Sequence, residues 1–253
     1  MSRADASGRQ RPERPEHPER PARPARPERP ERPARAGRRA AAPAPAAGQA
    51  DPSAARQAIL AAARGEFAAR GLKGARVQAI AERAGVNKQL LYYYFGSKDD
   101  LYRAALESVY ADIRALERGL QLDDLPPTEA MAALVGFSFD YLSRHPEFIG
   151  LLNHENALGA PHARDSQAVR QTNSPLVELI ASTLRRGVAQ GVFRAGVDPV
   201  ALYISIAGMG YFFFSNRLTL QAVFARDLGT ARAVAAYRKH VVDLAMAGLR
   251  PPA

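Results

Sequence analysis

Cysteine is absent from this 253-residue sequence, and its apolar runs are short. Without cysteine the chain can form no disulfide, no thiolate metal site and no cysteine nucleophile. No apolar run reaches the roughly 20 residues of a membrane-spanning helix, and the N-terminus has no apolar segment followed by a cleavage site. We therefore expect a cytoplasmic protein with no membrane segment.

Motifs of common enzymes are also missing. The sequence contains no Gly-rich phosphate loop, no Gly-x-Ser-x-Gly nucleophile elbow and no paired carboxylates in an acid/base pattern. His154, Glu155 and His162 are metal ligands by residue type, but they lack the His-Glu-x-x-His spacing of a zinc site. We therefore expect no enzyme activity, no catalytic residue, no cofactor and no metal.

The net charge of +10 is confined to the first two fifths of the chain. Residues 1–50 carry +6 and residues 51–103 carry +4, whereas residues 104–253 have 14 charges of each sign. Because nucleic-acid affinity rests on Lys and Arg beside phosphates, this distribution favours a polyanionic partner for the N-terminal part. The alternative is a basic, solvated surface with no partner.

Residues 1–50 repeat Arg-Pro, Glu-Arg-Pro and Ala-Arg-Pro units and have almost no large apolar side chains. Proline at this density removes backbone donors and favours extended polyproline II, so we predict a disordered arm. The arm either tethers DNA without sequence preference or is a solvated extension with no role.

Helical periodicity begins after Asp51 and continues to the end of the chain, with prolines at the joints between segments. No alternating, β-branched run of useful length interrupts it, so the predicted fold class is all-α. The predicted helices cover residues 53–70, 77–84, 88–95, 98–119, 128–144, 147–158, 166–190, 199–225 and 230–249.

Two short helices joined through Gly85, Val86 and Asn87 predict a helix-turn-helix, whose second helix enters the major groove of DNA. Gly85 can take the positive φ of the turn, and Asn87 is a good N-cap. On the second helix, Leu91 and Phe95 share the inward face. The exposed side then presents groups that suit bases and phosphates, namely Lys88, Gln89, Tyr92 and Tyr93. The alternative is an aromatic helix buried in an ordinary core.

The run from Ala79 to Tyr102, AIAERAGVNKQLLYYYFGSKDDLY, closely resembles the DNA-binding signature of the TetR/AcrR family. The resemblance is ungapped and covers about fifty residues, while the remainder matches only in size and helical layout. It implies a homodimer with a three-helix DNA-binding domain at residues 51–98 and a helical ligand-binding and dimerisation domain at residues 99–253. It also implies that the protein represses transcription by binding operator DNA and that a small molecule relieves this repression.

Carried over residue by residue, the resemblance implies that Lys88 and Gln89 lie near base edges and that Tyr92 and Tyr93 contact phosphates. Lys98 would hold a phosphate at the N-terminus of the next helix, where Ser97 is the predicted cap and Asp100 completes a capping box. Arg76 stands where the family usually has Thr or Ser. An arginine can contact phosphate but cannot cap the helix in the same way.

The half of the chain after residue 103 is apolar, aromatic and charge-balanced, as a sensor domain or any helical core would be. We expect an apolar or aromatic effector there. The candidate ligand contacts are Phe137, Tyr141, Phe148, Asn153, His154 and Tyr211. Most of the aromatic residues in this half are expected in the core or the dimer interface, and the favoured alternative for Asn153 and His154 is a structural role, capping helices or satisfying buried backbone groups. The resemblance places the dimer interface on the last two long helices, where the small residues Ala207, Gly208 and Gly210 would permit close approach.

Three hypotheses follow. The first is a ligand-responsive regulator, the second a DNA-binding dimer without a small-molecule ligand, and the third a helical enzyme with an accidental helix-turn-helix. A cavity in the C-terminal half separates the first from the second.

Overall fold

The structure is a computed structural model that describes residues 52–252, without the side chains of residues 172–174. The predicted arm, residues 1–50, lies outside the described residues. The described part is helical and contains no strand, which confirms the all-α prediction. Its helices are α1 (Pro52–Gly74), α2 (Val77–Arg83), α3 (Lys88–Phe95), α4 (Lys98–Arg118), α5 (Pro127–Arg144), α6 (Pro146–Ala157), α7 (Pro161–Asp165), α8 (Gln167–Ala189), α9 (Pro199–Ser215), α10 (Arg217–Phe224) and α11 (Ala231–Leu249).

The single helix predicted over residues 199–225 is wrong. The structure has two helices there, which meet at Asn216. The side-chain amide of Asn216 donates to the carbonyl of Phe212 at 3.1 Å, a local bond that competes with the helical backbone. No proline or glycine marks this break. The short helix α7 and a turn of 3-10 helix at Leu122–Asp124 were not predicted from the sequence.

A first core cluster joins the N-terminal helices to α5 and α6. Ile59 and Phe67 of α1, Ile80 of α2 and Leu91 of α3 are fully buried in it, together with Tyr102 of α4. The ring of Tyr102 meets Phe67 edge-to-face at 5.1 Å. The same cluster contains apolar residues of α5 and α6, so the predicted boundary at residue 98 runs through shared packing.

Helix α6 lies directly against α1. A Cβ at Gly150 would stand 2.6 Å from the carbonyl oxygen of Ala68, so only glycine permits this approach. Gly71 breaks the helical geometry of α1 with φ 65° and ψ 176°, close to the predicted helix end. Helix α6 is therefore closely packed against the helix that supports α2 and α3.

A second core cluster is formed mainly by α5, α8, α9 and α11. Phe139, Ile180, Ile206 and Val241 are buried there, one from each helix. Gly210 of α9 packs within the chain, because a Cβ there would lie 3.0 Å from Leu142 Cδ1. Its predicted place in a dimer interface is therefore wrong. Within the described range, none of the helices combines enough length and apolarity to pass through a lipid bilayer.

Candidate DNA-binding helix and ligand cavity

The turn between α2 and α3 sets the angle at which α3 is presented. Gly85 has φ 68°, the left-handed conformation that glycine adopts without steric cost. The backbone N–H of Val86 donates to the carbonyl of Ala81 at 3.0 Å, and both side chains pack against the first core. The predicted helix-turn-helix geometry is present, and its turn is anchored to the core.

The N-termini of the two short helices are held differently. Asn87 Oδ1 accepts from the backbone N–H of Leu90 at 2.7 Å, so the predicted cap of α3 is confirmed. Arg76 makes no side-chain cap on α2, and its backbone N–H donates to Glu66 Oε1 at 3.1 Å. Glu66 is buried and lies 3.3 Å from Arg70. A carboxylate from α1 thus holds the backbone of the residue that precedes α2, and the side chain of Arg76 stays exposed.

Helix α3 exposes the face that the sequence predicts. Lys88, Gln89, Tyr92 and Tyr93 are exposed, while Leu91 and Phe95 are buried in the first core. Tyr93 is 59% exposed and Tyr92 38%, which is unusual for large aromatic side chains. The ammonium of Lys88 lies 5.7 Å from the ring centroid of Tyr92, within cation–π range. The structure therefore brings these donors and acceptors together on one surface.

The N-terminus of α4 lies beside the end of α1. Ser97 Oγ accepts from the backbone N–H of Asp100 at 3.0 Å and donates to its carboxylate at 2.6 Å, so the predicted cap is confirmed. The ammonium of Lys98 donates to the carbonyl of Lys73 at 3.3 Å. An ammonium has three donors, so this bond is compatible with the predicted phosphate contact.

A cavity of about 550 Å³ lies between α4, α5, α6 and α9. Its size falls in the range of small-molecule sites, and apolar side chains supply most of its wall. The aromatic and polar residues that line it include Tyr110, Glu117, Phe148, Asn156, Tyr203 and Tyr211. Because its wall includes α4 and α6, the cavity adjoins the core that supports α2 and α3.

Phe148 and Tyr211 are the two predicted ligand contacts that line this cavity. Tyr141 is buried beside it, with its hydroxyl donating to the carbonyl of Val109 at 3.4 Å and its ring stacked on His145. Burial raises the pKa of Tyr141 above its ordinary value. Phe137 packs against the same core. The structure thus places Tyr141 and Phe137 in packing positions.

Asn153 and His154, the predicted polar contacts, also stand outside the cavity wall. Asn153 Oδ1 accepts from the hydroxyls of Tyr211 and Ser215, the second at 3.2 Å, and so links α6 to α9. The ring of His154 covers Gly71, where a Cβ would lie 2.8 Å from its Nδ1. These two residues therefore connect α6 to its neighbours.

A second polar bridge joins α6 to the start of α4. His162 of α7 is buried, with its ring nitrogens 2.9 Å from Glu155 Oε2 and 3.2 Å from Asp99 Oδ1. The other oxygen of Glu155 accepts from the backbone N–H of Ala163 at 2.9 Å. This network ties the N-terminus of α4, next to Lys98, to the helix that walls the cavity.

Glu117 is a cavity residue that the sequence analysis missed. Its side chain is 4% exposed and pairs with Arg114, whose other terminal nitrogen donates to the Tyr203 hydroxyl at 2.9 Å. Burial raises the pKa of Glu117 to about 7, and the positive charge of Arg114 only partly opposes this. Val109, Ile113 and Glu117 recur every four residues, so helical periodicity alone points Glu117 inward.

Two family patterns match this chain. The pattern described as "Bacterial regulatory proteins, tetR family" matches residues 59–105, and "Tetracyclin repressor-like, C-terminal domain" matches residues 127–245. The chain therefore belongs to the TetR family of bacterial transcriptional regulators. It is a DNA-binding regulator of transcription.

Individual relatives agree with this assignment. The chain is 39% identical over 192 residues to the HTH-type transcriptional repressor NicS of Pseudomonas putida, covering 76% of this chain and 91% of that protein. The solved structure of the regulator SCO4942 from Streptomyces coelicolor aligns with TM-score 0.59 and 26% identity, over 78% of this chain and 99% of that chain. FadR from Bacillus subtilis, solved with stearoyl-CoA, aligns with TM-score 0.56 and 17% identity over 77% and 100% of the two chains and shows the shared fold.

Proposed function

We propose that the protein is a homodimeric repressor that binds its operator through α3 and leaves it when a small molecule occupies the cavity. The observation that carries the proposal is a cavity of about 550 Å³ whose wall includes α6, the helix packed directly on α1. NicS is a repressor by name, which supports repression as the direction of control. The function is binding and release, without catalysis.

In this proposal α3 lies in the major groove of the operator. Gln89 pairs with adenine and Lys88 with guanine, because their side chains fit those base edges. Contacts that position the helix come from the phosphate-binding residues Arg76, Tyr92, Tyr93 and Lys98. Asn87 contributes by capping α3 at the end that faces the bases. The protein acts where the chromosome lies, in the cytoplasm.

The proposed dimer interface is an apolar stripe along α9 and the neighbouring helices. Val200, Ile204, Gly208 and Phe212 recur every four residues on the exposed side of α9, with Ile204 63% and Phe212 57% exposed. Leu244 of α11 is also exposed. Apolar side chains exposed in a continuous stripe favour burial against a second copy, and a two-fold dimer buries the same stripe from both chains.

The cavity and the stripe share residues, and this suggests how the effector signal spreads. Ile204 and Gly208 line the cavity and also belong to the exposed stripe of α9. A molecule in the cavity therefore pushes on the dimer interface and on α6 together. Because paired recognition helices must meet successive major grooves about 34 Å apart, a small change in either contact prevents simultaneous binding.

The experiment that tests this function begins with operator selection. Genomic fragments retained by the full chain are sequenced, and the operator is confirmed by footprinting and by anisotropy at fixed salt. A library of small aromatic compounds is then screened for operator release, with about 5- to 150-fold loss of affinity expected for an effector. Failure to select any DNA sequence would contradict the proposed role as an operator-binding regulator. Selective binding that no compound reverses supports a DNA-binding dimer without a ligand.

A further inference from the structure

The carboxylate of Glu117 is buried with only one of its oxygens paired. Oε2 pairs with Arg114, whereas Oε1 is buried and has no hydrogen-bond donor among the described residues. A carboxylate accepts hydrogen bonds at both oxygens, and leaving a buried acceptor unsatisfied is costly. Glu117 lines the cavity, so a molecule that enters the cavity can supply the missing donor once the carboxylate turns Oε1 toward it.

The neighbours of Glu117 hold it in place. Arg114 is itself buried, contacts Glu117 with one terminal nitrogen and donates to the Tyr203 hydroxyl with the other. The guanidinium also lies 5.4 Å from the ring centroid of Tyr203. The Tyr203 oxygen therefore accepts from Arg114, and the carboxylate is fixed at the cavity wall with one acceptor unused.

The rest of the wall suits a flat, apolar body. Tyr110, Phe148, Tyr203 and Tyr211 place four aromatic rings around the cavity, with Tyr110 and Phe148 meeting edge-to-face at 5.6 Å. Aromatic rings prefer stacked or edge-to-face partners. The cavity thus combines an aromatic surround with a single buried acceptor.

We infer that the effector is a small aromatic molecule that carries an N–H or O–H group and donates it to Glu117 Oε1. The inference rests on the proposed function, because it names the chemical class of effector for the same cavity. Against the ionised carboxylate, a molecule with acceptors alone would place its lone pairs opposite those of Glu117 and is rejected. Glu117 is then the residue that selects effectors by their donor.

Two matched probe pairs test the inference, indole against N-methylindole and naphthol against its methyl ether. Each pair keeps the ring system and removes the donor. We expect the wild-type full chain at pH 8, where Glu117 is ionised, to bind the donor-bearing member about 10- to 100-fold more tightly, as measured by calorimetry, because the hydrogen bond is then made to a charged acceptor.

The variant Glu117→Gln provides the decisive comparison. Arg114 has only donors, so it holds the amide oxygen and turns the amide NH₂ toward the cavity. The preference for donor-bearing probes is then expected to vanish or reverse in a variant whose helical circular dichroism matches the wild type. Ala207→Trp, which fills the cavity from α9, is expected to abolish binding of both members and so locates the site.

Equal affinity of the wild type for both members of each pair overturns the inference, as does a preference that persists in Glu117→Gln. Absence of all binding by the wild type overturns it as well. Operator binding by the wild type without any probe is measured in parallel. If the protein binds the operator but shows no preference for donor-bearing probes, the proposed regulatory function is retained and only the inferred class of effector is wrong.

Discussion

At the residue scale, the side chains that carry the two proposed activities differ in their solvation. The polar groups of α3 keep their water until DNA arrives, so their exposure costs nothing in the unbound protein. Glu117 instead loses its water on folding and depends on Arg114 for compensation. Substitutions on α3 are therefore expected to change binding, and a substitution of Glu117 to change both binding and stability.

Gln89 and Lys98 are expected to affect DNA binding in different ways. Gln89→Ala should alter which operator sequence is preferred, by about 1–3 kcal/mol at the contacted base pair. Lys98→Ala should weaken binding to all DNA sequences alike. It should also reduce the slope of log affinity against log salt concentration by about 1 for each subunit. Anisotropy titrations on matched and mismatched operators at several salt concentrations measure both. Lys239→Ala, on the exposed surface of α11, is the charge-matched control. Unchanged affinity in both variants would contradict the placement of α3 in the groove.

Glu117 is expected to make stability depend on pH. Because its native pKa is about 7 against an ordinary 4.5, the native state retains a proton that the unfolded chain loses between these values. The free energy of unfolding should therefore fall as the pH rises from about 4.5 to 7, by on the order of 2 kcal/mol from this residue. Urea denaturation of wild type and Glu117→Gln across that range measures the difference.

The control for this prediction is Glu178→Gln, which neutralises an exposed carboxylate paired with Arg185. The free energy of unfolding of this variant should depend on pH in the same way as that of the wild type. A Glu117→Gln profile that also follows the wild type would show that Glu117 titrates in its ordinary range.

At the scale of elements, short helices depend on their ends. Helix α3 has eight residues, too few to be stable alone, and its position comes from the Asn87 cap, the Gly85 turn and burial of Leu91 and Phe95. Changes at the turn should therefore affect the presentation of α3 even though they lie outside the DNA contacts.

Gly85→Ala is expected to destabilise the protein by about 1 kcal/mol, because alanine is strained at φ 68°. No atom of the described chain lies close enough to hinder the new Cβ, so the cost is in the backbone alone. Gly248→Ala makes the same chemical change inside α11 in open space and should stabilise by about 0.5–1 kcal/mol. Thermal unfolding of both variants gives the comparison, and equal signs would contradict the turn geometry.

At the scale of the whole molecule, the proposed dimer converts a local change into release of DNA. The exposed stripe of α9 adjoins the cavity, and α6 connects the cavity to α1. An effector can shift the dimer only as far as it prefers the conformation that does not bind DNA. The coupling between effector binding and operator binding then depends on the packing of α6 and α9.

Phe212→Glu is expected to dissociate the dimer, because it places a charge within the apolar stripe. Sedimentation should show a monomer, and operator affinity should fall by at least about 100-fold, since two half-sites are no longer held together. Arg232→Glu, at an exposed position early in α11, is a control for added negative charge. If the Phe212→Glu variant remains dimeric, the dimer interface lies on another surface.

Deletion of residues 1–50 is expected to lower non-specific DNA affinity and flatten its salt dependence, because the arm carries a net charge of +6. Operator preference should survive the deletion. Titrations of full-length and truncated protein on unrelated DNA measure the salt dependence of affinity for each. Identical salt dependence would show that the arm does not contribute to DNA binding.

The sequence by itself determined the features that are local in the chain. Helical periodicity, caps and the Gly85 turn predicted the all-α class and the extent of α3, because each depends on residues within a few positions of one another. The exposed face of α3 followed from the same periodicity. The break at Asn216 was missed, since an asparagine between two apolar segments gives a weak local signal.

Only the tertiary structure decided which residues surround the cavity. Tyr110, Glu117, Phe148 and Tyr203 come from three helices, and their meeting depends on the angles at which those helices pack. Aromatic residues that line a cavity and aromatic residues that fill a core have the same spacing along a helix, which is why Tyr141 could not be distinguished from Phe148 beforehand. The unpaired oxygen of Glu117 is a property of three-dimensional packing, and no pattern in one chain reports it.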